Sequence, residues 1–199
     1  MTGVIVIGGG AAGWSAALSA AQSGAHVTLF EKLAESGGSS AMSGGCLAFA
    51  GTALQAAQGI VDSPDILFRD LLEVGQEVND PALVRTYCDI QLATCDWLIE
   101  AGVHFSPVIE TASGQSVPRV HTVDPADMVR TLKAAAGKTG RVDYHPERAV
   151  AALETDADAR VCGVLMADGA RVEAEKGVIL TNGGFAKNHD LLMQYAPQY

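Results

Sequence analysis

The sequence predicts an α/β fold, with a central parallel sheet, a small antiparallel β-layer and a helical insertion. Three observations carry that expectation. A β-branched apolar run at Val4–Ile7 passes through a glycine-rich turn into an alanine- and leucine-rich stretch and a second apolar run, the order of a βαβ unit. Three cap-and-proline pairs then mark helix starts. From Arg141 onward, short strand-like pieces alternate with turn residues.

Each element follows from its residues. The wholly apolar Val4–Ile7 reads as a buried parallel strand. Ala11 to Ser23 carries apolar residues at helical spacing and stops at Gly24, a good C-terminal breaker. His26 to Phe30 is a second strand, and the serine- and glycine-rich "SGGSSAMSGG" from Ser36 to Gly45 is an ordered segment because Met42 and Leu47 lie in and after it. Ser63-Pro64 opens a helix to about Gln76, Asp80-Pro81 a longer one ending near Gly102, and Asp124-Pro125 a third to about Ala136. "RVDYH", "AVAALET", "RVCGVLMA" and "ARVEAE" form the antiparallel layer, with Asp168-Gly169 as one of its turns. "GVILTNGGF" restores a buried parallel strand, and "KNHDLLMQYAPQY" begins a last helix. The expected organisation is one domain over 1–199, with the helical insertion at 53–138 and the antiparallel layer at 141–175.

Composition narrows the function. Hydrophobic residues at 48% and charged residues at 18% suit a soluble globular domain large enough to bury a core. Thirteen basic against twenty-three acidic residues leave a net charge of -10, which argues against a nucleic acid or an anionic membrane as partner. Cys46, Cys88, Cys95 and Cys162 are scattered without metal-ligand spacing, so no metal is expected and the thiols read as reduced. No basic leader precedes the first strand and no apolar run reaches the ~20 residues of a membrane span. A cytoplasmic location is the expectation.

Gly8, Gly10 and Gly13 form GxGxxG after a strand and at the opening of a helix. Gly8 allows the tight turn, Gly10 lets backbone approach a pyrophosphate, and Gly13 lets the helix pack on the strand. The helix N-terminus then offers free N–H groups to phosphate. Glu31, ending the second strand, can accept hydrogen bonds from a ribose and disfavours a 2′-phosphate. This motif alone does not separate NAD from FAD.

"VIGGGAAGWSAALSAAQSGAHVTLFEK", "GGSSAMSGG" and "VILTNGGFAKN", in that order, resemble landmarks of the fumarate reductase/succinate dehydrogenase flavoprotein family, which includes urocanate reductases, aspartate oxidase and 3-ketosteroid dehydrogenases. The resemblance spans the chain but only the first part of a family member. It implies an FAD-binding Rossmann-type sheet, with the capping domain, a final FAD-binding segment and the proton-transferring group beyond Tyr199. The implied cofactor contacts are Gly8, Gly10, Ala11, Ala12, Gly13, Glu31 and Lys32 at the first turn; Gly37, Gly38, Ser39, Ser40, Gly44 and Gly45 in the second cluster; Ala149 and Val150 beside the adenine; and Asn182, Gly183 and Gly184 in the last turn. Thr181-Asn182 stands where the family has alanine-threonine. Some family members link FAD to a histidine shortly before their double glycine; here that stretch, "EKLAESGG", holds no histidine, so FAD is expected to be non-covalent.

Near the substrate side, "SVPRVHTVDPADMV" resembles a family segment with a His-Arg pair, and His121 is the one catalytic candidate. Its competing reading is a loop histidine satisfied around the Asp124 cap. Trp14 reads as packing. The implied activity is a flavin-dependent oxidoreductase acting on CH–CH groups, moving hydride between flavin N5 and an activated C=C of a carboxylate substrate, with an unknown electron partner. A 3-ketosteroid dehydrogenase-like enzyme, a non-catalytic nucleotide-binding module and an NAD-dependent dehydrogenase domain are the alternatives. The isolated chain is expected to be inactive.

Overall fold

The computed structural model describes residues 3–186 and 188–198. In chain order the elements are β1 (Val4–Ile7), α1 (Ala11–Gln22), β2 (Val27–Phe30), α2 (Gly38–Ala41), β3 (Cys46–Ala48) and α3 (Ala53–Ala57). Then come α4 (Pro64–Val74), α5 (Pro81–Glu100), β4 (Ile109–Glu110), β5 (Val120–Thr122) and α6 (Pro125–Lys138). β6 (Val142–His145), β7 (Val150–Thr155), β8 (Val161–Met166), β9 (Arg171–Glu173), β10 (Gly177–Leu180) and α7 (His189–Tyr195) complete it. The chain divides into two compact units. One holds the residues up to Ser40 and from Lys133 onward, and the other Ala41–Leu132.

The first unit is built on a parallel sheet ordered β10-β1-β2-β6. Its register aligns Ile5 with Thr28 and Val178, and Val6 with Leu29 and Ile179. Side chains alternate between faces, so these rows point opposite ways. On one face Ile5, Phe30 and Val178 pack with Val164, Met166 and Ala174 of the antiparallel sheet β7-β8-β9 and its flank. On the other, α1 buries Trp14, Ala17, Leu18 and Ala21. Trp14 is 1% exposed and its ring lies 5.1 Å from that of Tyr144, so it is a packing residue.

α1 lies so close to β1 that a Cβ on Gly13 would fall 1.8 Å from the Gly8 carbonyl oxygen. Gly8 itself has φ +105, and a Cβ there would meet the Thr181 carbonyl at 2.6 Å. Both positions therefore require glycine for reasons internal to the fold.

Two expectations about this unit are corrected. "RVDYH" is not part of the antiparallel layer, because Val142–His145 pairs parallel with β2. Its alternating burial arises because β6 is an edge strand covered on one face, not because it is antiparallel. β10 is parallel as expected but not buried, since Ile179 and Leu180 of this other edge strand are 37% and 57% exposed.

In the second unit all three cap-and-proline starts are formed. Ser63, Asp80 and Asp124 accept from the N–H groups of Ile66, Ala82 and Asp127 respectively. The segment expected as a helical insertion also contains β4 and β5, which form a small antiparallel sheet with β3. α4 and α5 pack through Leu67, Cys88, Phe68, Leu71 and Val84. The side-chain amide of Gln91 on α5 receives the Ala50 N–H at 2.9 Å and donates to its carbonyl at 3.0 Å, as a neighbouring strand would.

An ion cluster lies at the centre of this unit. Arg119, with its side chain 1% exposed, reaches both oxygens of Asp62 through Nε (2.9 Å) and Nη2 (3.0 Å), and Asp70 through Nη1 (2.6 Å). Asp62 also accepts from Gln55 Nε2, and Asp70 from the N–H and hydroxyl of Ser116. Burial alone would raise the Asp70 carboxyl, but the Ser116 and Arg119 hydrogen bonds outweigh it and hold it below its ordinary value. Removing one member of such a cluster leaves charge buried without a partner. Arg119→Leu should therefore destabilise the chain by about 3–5 kcal/mol, read as a lowered urea midpoint. A midpoint equal to that of the wild type would show that the cluster carries no stability.

Candidate functional site

The first unit brings the expected nucleotide-contact segments together at the carboxyl ends of its parallel strands. Gly10 is the N-cap of α1, and the Ala11 N–H donates to Ser40 Oγ at 3.1 Å. The Gly37 N–H donates to the Gly9 carbonyl at 2.9 Å. The first glycine turn and the start of the second glycine-serine cluster are thus stitched to each other, with Ala12 and Gly13 in the helix turn that follows. Gly38, Ser39 and Ser40 form the short helix α2 beside them.

Glu31 has a second task that the sequence does not announce. Its Oε2 accepts the Gly9 N–H at 2.8 Å and its Oε1 the Leu33 N–H at 2.9 Å. The carboxylate is 8% exposed and braces the turn from inside. Each oxygen retains a further lone pair, so a ribose hydroxyl can still donate to it.

A cavity of about 820 Å³ opens here. Gly8, Glu31, Lys32, Ala149, Val150, Asn182, Gly183 and Gly184 line it, so the end of β2, the start of β7 and the turn after β10 converge as expected. Gly10, Ala11, Ala12, Gly13, Gly37, Gly38, Ser39 and Ser40 are not among its lining residues and stand at the adjoining helix starts. Thr181 anchors the last turn. Its hydroxyl donates toward the Ile7 and Gly8 carbonyls at 2.8 and 3.0 Å, and its N–H reaches the Ile7 carbonyl at 3.0 Å. This is a bond that alanine could not make, so the departure from the family pattern strengthens the turn. At Gly184 a Cβ would meet nothing within 4 Å, and at Gly10 only Ser40 Oγ and the Gly37 carbonyl oxygen, at 3.3 and 3.7 Å. Gly184 is therefore open, whereas at Gly10 a side chain would have to displace the Ser40 hydroxyl by a few tenths of an ångström.

Sequence reasoning missed Arg148, Phe185, Asn188, His189 and Leu191, which also line the cavity. Arg148 directly precedes the Ala149-Val150 pair, and a survey of charged residues flanking that strand could have found it. His189 and Leu191 belong to α7 at residues 189–195; Lys187, part of the expected last-helix segment, and the terminal Tyr199 lie outside the described residues.

Gly44, Gly45 and His121 belong to the second unit. Gly45 has φ +70, and a Cβ there would come within 2.0 Å of the Val123 carbonyl oxygen, which explains this glycine by packing. Its carbonyl accepts the Val123 N–H at 2.9 Å. Gly44 is open, with only Cys46 Sγ at 3.9 Å from an added Cβ.

His121 is 1% exposed. Its Nε2 lies 2.8 Å from Thr52 Oγ1 and its Nδ1 2.9 Å from the Arg119 carbonyl oxygen. Phe49 and Phe105 meet the ring edge to face. Both nitrogens are thus engaged inside the unit, and within it His121 serves as a structural histidine. It is satisfied by Thr52 and the Arg119 backbone rather than by the Asp124 cap. Among the described residues there is no group of His, Cys, Asp or Glu that could hold a metal, and no helix long and apolar enough to cross a membrane.

Comparison with known proteins agrees with this geometry. The family described as FAD binding domain matches residues 3–199. A fumarate reductase (cytochrome) from Shewanella frigidimarina is 35% identical over 202 residues, covering 98% of this chain and 35% of that protein. The open conformation of a flavocytochrome c3 fumarate reductase superposes with a TM-score of 0.92 at 30% identity, over 99% of this chain and 36% of that one. The 3-ketosteroid-delta4-(5alpha)-dehydrogenase of Rhodococcus jostii RHA1 gives 0.89 at 27% identity, over 98% and 48%. The chain therefore spans a third to a half of the length of these proteins.

Burial pushes the His121 imidazole below its ordinary value of 6.5, against the smaller pull of the Arg119 carbonyl and Asp62. The unfolded chain takes up a proton near pH 6.5 that the folded chain refuses, so stability falls as pH drops through that value. The urea midpoint should decline from pH 7 to pH 5, and His121→Gln should remove part of that decline. Parallel pH profiles for the two proteins would refute the assignment.

Proposed function

The chain belongs to the FAD binding domain family, and from that premise we propose that it is the FAD-holding portion of a fumarate reductase-like flavoenzyme. Bound FAD would supply hydride transfer at its N5 to or from an activated C=C/C–C bond of a carboxylate substrate. The chain's own residues bind and orient the cofactor.

The residues present fit that group. A cavity of about 820 Å³ is of the size that takes a nucleotide-sized ligand. Gly10 sits at the N-terminus of α1, where the helix dipole and first-turn N–H groups favour pyrophosphate. Glu31 stands one strand over for the ribose, as the last residue of the cradle before Lys32. The observation that carries the reading is the convergence of Gly8, Glu31, Ala149, Val150 and the Asn182–Gly184 turn on one cavity at the carboxyl ends of the parallel strands. FAD is held without a covalent bond in this reading, because Lys32 to Ser36 contains no histidine.

The fumarate reductases from which the carboxylate reading comes are the relatives at 35% and 30% identity. The steroid dehydrogenase at TM-score 0.89 favours a second reading, in which the substrate is a ketosteroid. In either reading the residues at the cavity are assigned to holding the cofactor, and none of them is assigned to substrate choice or proton transfer.

A calorimetric titration with FAD, using NAD as comparator, tests the cofactor reading: FAD should bind and NAD should not. NAD binding in preference to FAD would replace it with a plain dehydrogenase domain. Gly184→Val and Gly10→Val should each abolish FAD binding while the circular dichroism spectrum stays that of the wild type. Unchanged affinity in both would sink the assignment of these turns.

A further inference from the structure

We infer that Arg148, held at the rim of the cavity by Asp168, is the residue that recognises the adenine base, stacking its guanidinium on the ring; this deepens the FAD reading above and rests on it. The position of the base follows from the order of strand ends. Ile7, Phe30 and His145 are in register at the carboxyl ends of β1, β2 and β6. The helix start that suits phosphate follows β1, and the carboxylate that suits ribose follows β2. A nucleotide laid across these ends in that direction meets the segment after β6 last, and Arg148 is there, lining the cavity.

That segment is held in place with unusual care. Glu147 adopts φ 54, a left-handed conformation that non-glycine residues rarely keep without a reason. Its N–H donates to the Leu33 carbonyl at 3.1 Å, and the Arg148 N–H to the Glu31 carbonyl at 2.8 Å. Glu147 and Arg148 are thus tied to the stretch of chain that carries Glu31. On the other side the Ala167 N–H donates to the Ala149 carbonyl at 2.8 Å, which fixes the β8–β9 turn against Arg148.

Asp168 in that turn accepts the Ala170 N–H at 3.0 Å through Oδ1 and Arg148 Nη1 through Oδ2. Asp168 does not line the cavity while Arg148 does, so the ion pair straddles the rim. With side chains 40% and 51% exposed, the pair adds little to stability, and a structural role does not account for it. It orients a planar, half-neutralised guanidinium, and such a group stacks on an aromatic face. Asp168 is the positioning residue and Arg148 the contact.

The test is titration of the 199-residue chain with FAD, ADP and FMN, the last of which lacks the adenylate half. Arg148→Ala should weaken FAD and ADP roughly tenfold and leave FMN unchanged, with thermal unfolding of the unliganded protein unmoved. Arg148→Lys keeps the charge and stem but not the plane, and should weaken FAD as Arg148→Ala does. Asp168→Asn should give a smaller loss confined to the same two ligands. Wild-type affinity for FAD in Arg148→Ala, an equal loss for FMN, or rescue by lysine would overturn the inference and leave the FAD reading standing. Failure of the wild-type chain to bind FAD at all would overturn that reading instead.

Discussion

The first unit depends on how closely α1 can approach the end of β1. The Gly8 carbonyl oxygen occupies the place where a side chain on residue 13 would begin, and the Thr181 carbonyl occupies the place of one on residue 8. Helix, first strand and last strand therefore meet backbone to backbone, without side chains between them. That contact aims the N-terminus of α1 at the carboxyl ends of the strands. It also sets the turn after β10 beside the first glycine turn, where the Thr181 hydroxyl bridges the carbonyls of Ile7 and Gly8.

The glycines of the motif consequently do different work. Two are consumed by packing and would be demanded of the fold even if it bound nothing. The third, Gly10, is met by no backbone at such range: a Cβ there would have Ser40 Oγ at 3.3 Å and the Gly37 carbonyl oxygen at 3.7 Å. Glu31 is similarly double: its carboxylate holds the Gly9 and Leu33 N–H groups and still has lone pairs for a sugar. A residue that both shapes the turn and contacts the ligand couples binding to the rigidity of the site.

In the second unit the analogous organising feature is polar. Arg119 reaches two carboxylates, and the neighbouring Thr52, Gln55, Ser116 and His121 complete the hydrogen bonding of the cluster. Buried charge is tolerated because every polar group in it has a partner. The same network answers the question of His121. Within this unit its two nitrogens are held by Thr52 and the Arg119 carbonyl, and its ring lies edge to face with two phenylalanines.

The local features were legible in the sequence. The βαβ start, the glycine motif and the three cap-and-proline helix starts need only neighbours a few residues away, and propensity and capping act at that range. The Thr52–Gln55 capping box was also within reach, since threonine followed three residues later by glutamine is such a signature. Other features were not. "RVDYH" alternates in polarity whether it lies in an antiparallel layer or on the edge of a parallel sheet, and only its partner β2 decides. Gly45 carries no mark that distinguishes a glycine needed by Val123 from one needed by a cofactor.

By itself, then, the sequence determined the class of fold, the cofactor-binding turn and the positions of the main helices, because these rest on short-range periodicity and backbone constraint. The tertiary structure alone decided which glycines are required by packing, Gly8, Gly13 and Gly45 among them. It also paired Arg119 with Asp62 and Asp70, buried His121 against Thr52 and set Arg148 on the rim beside Asp168. Those outcomes depend on atoms that are distant along the chain and adjacent only in space, and no local pattern encodes which distant partner a side chain will meet.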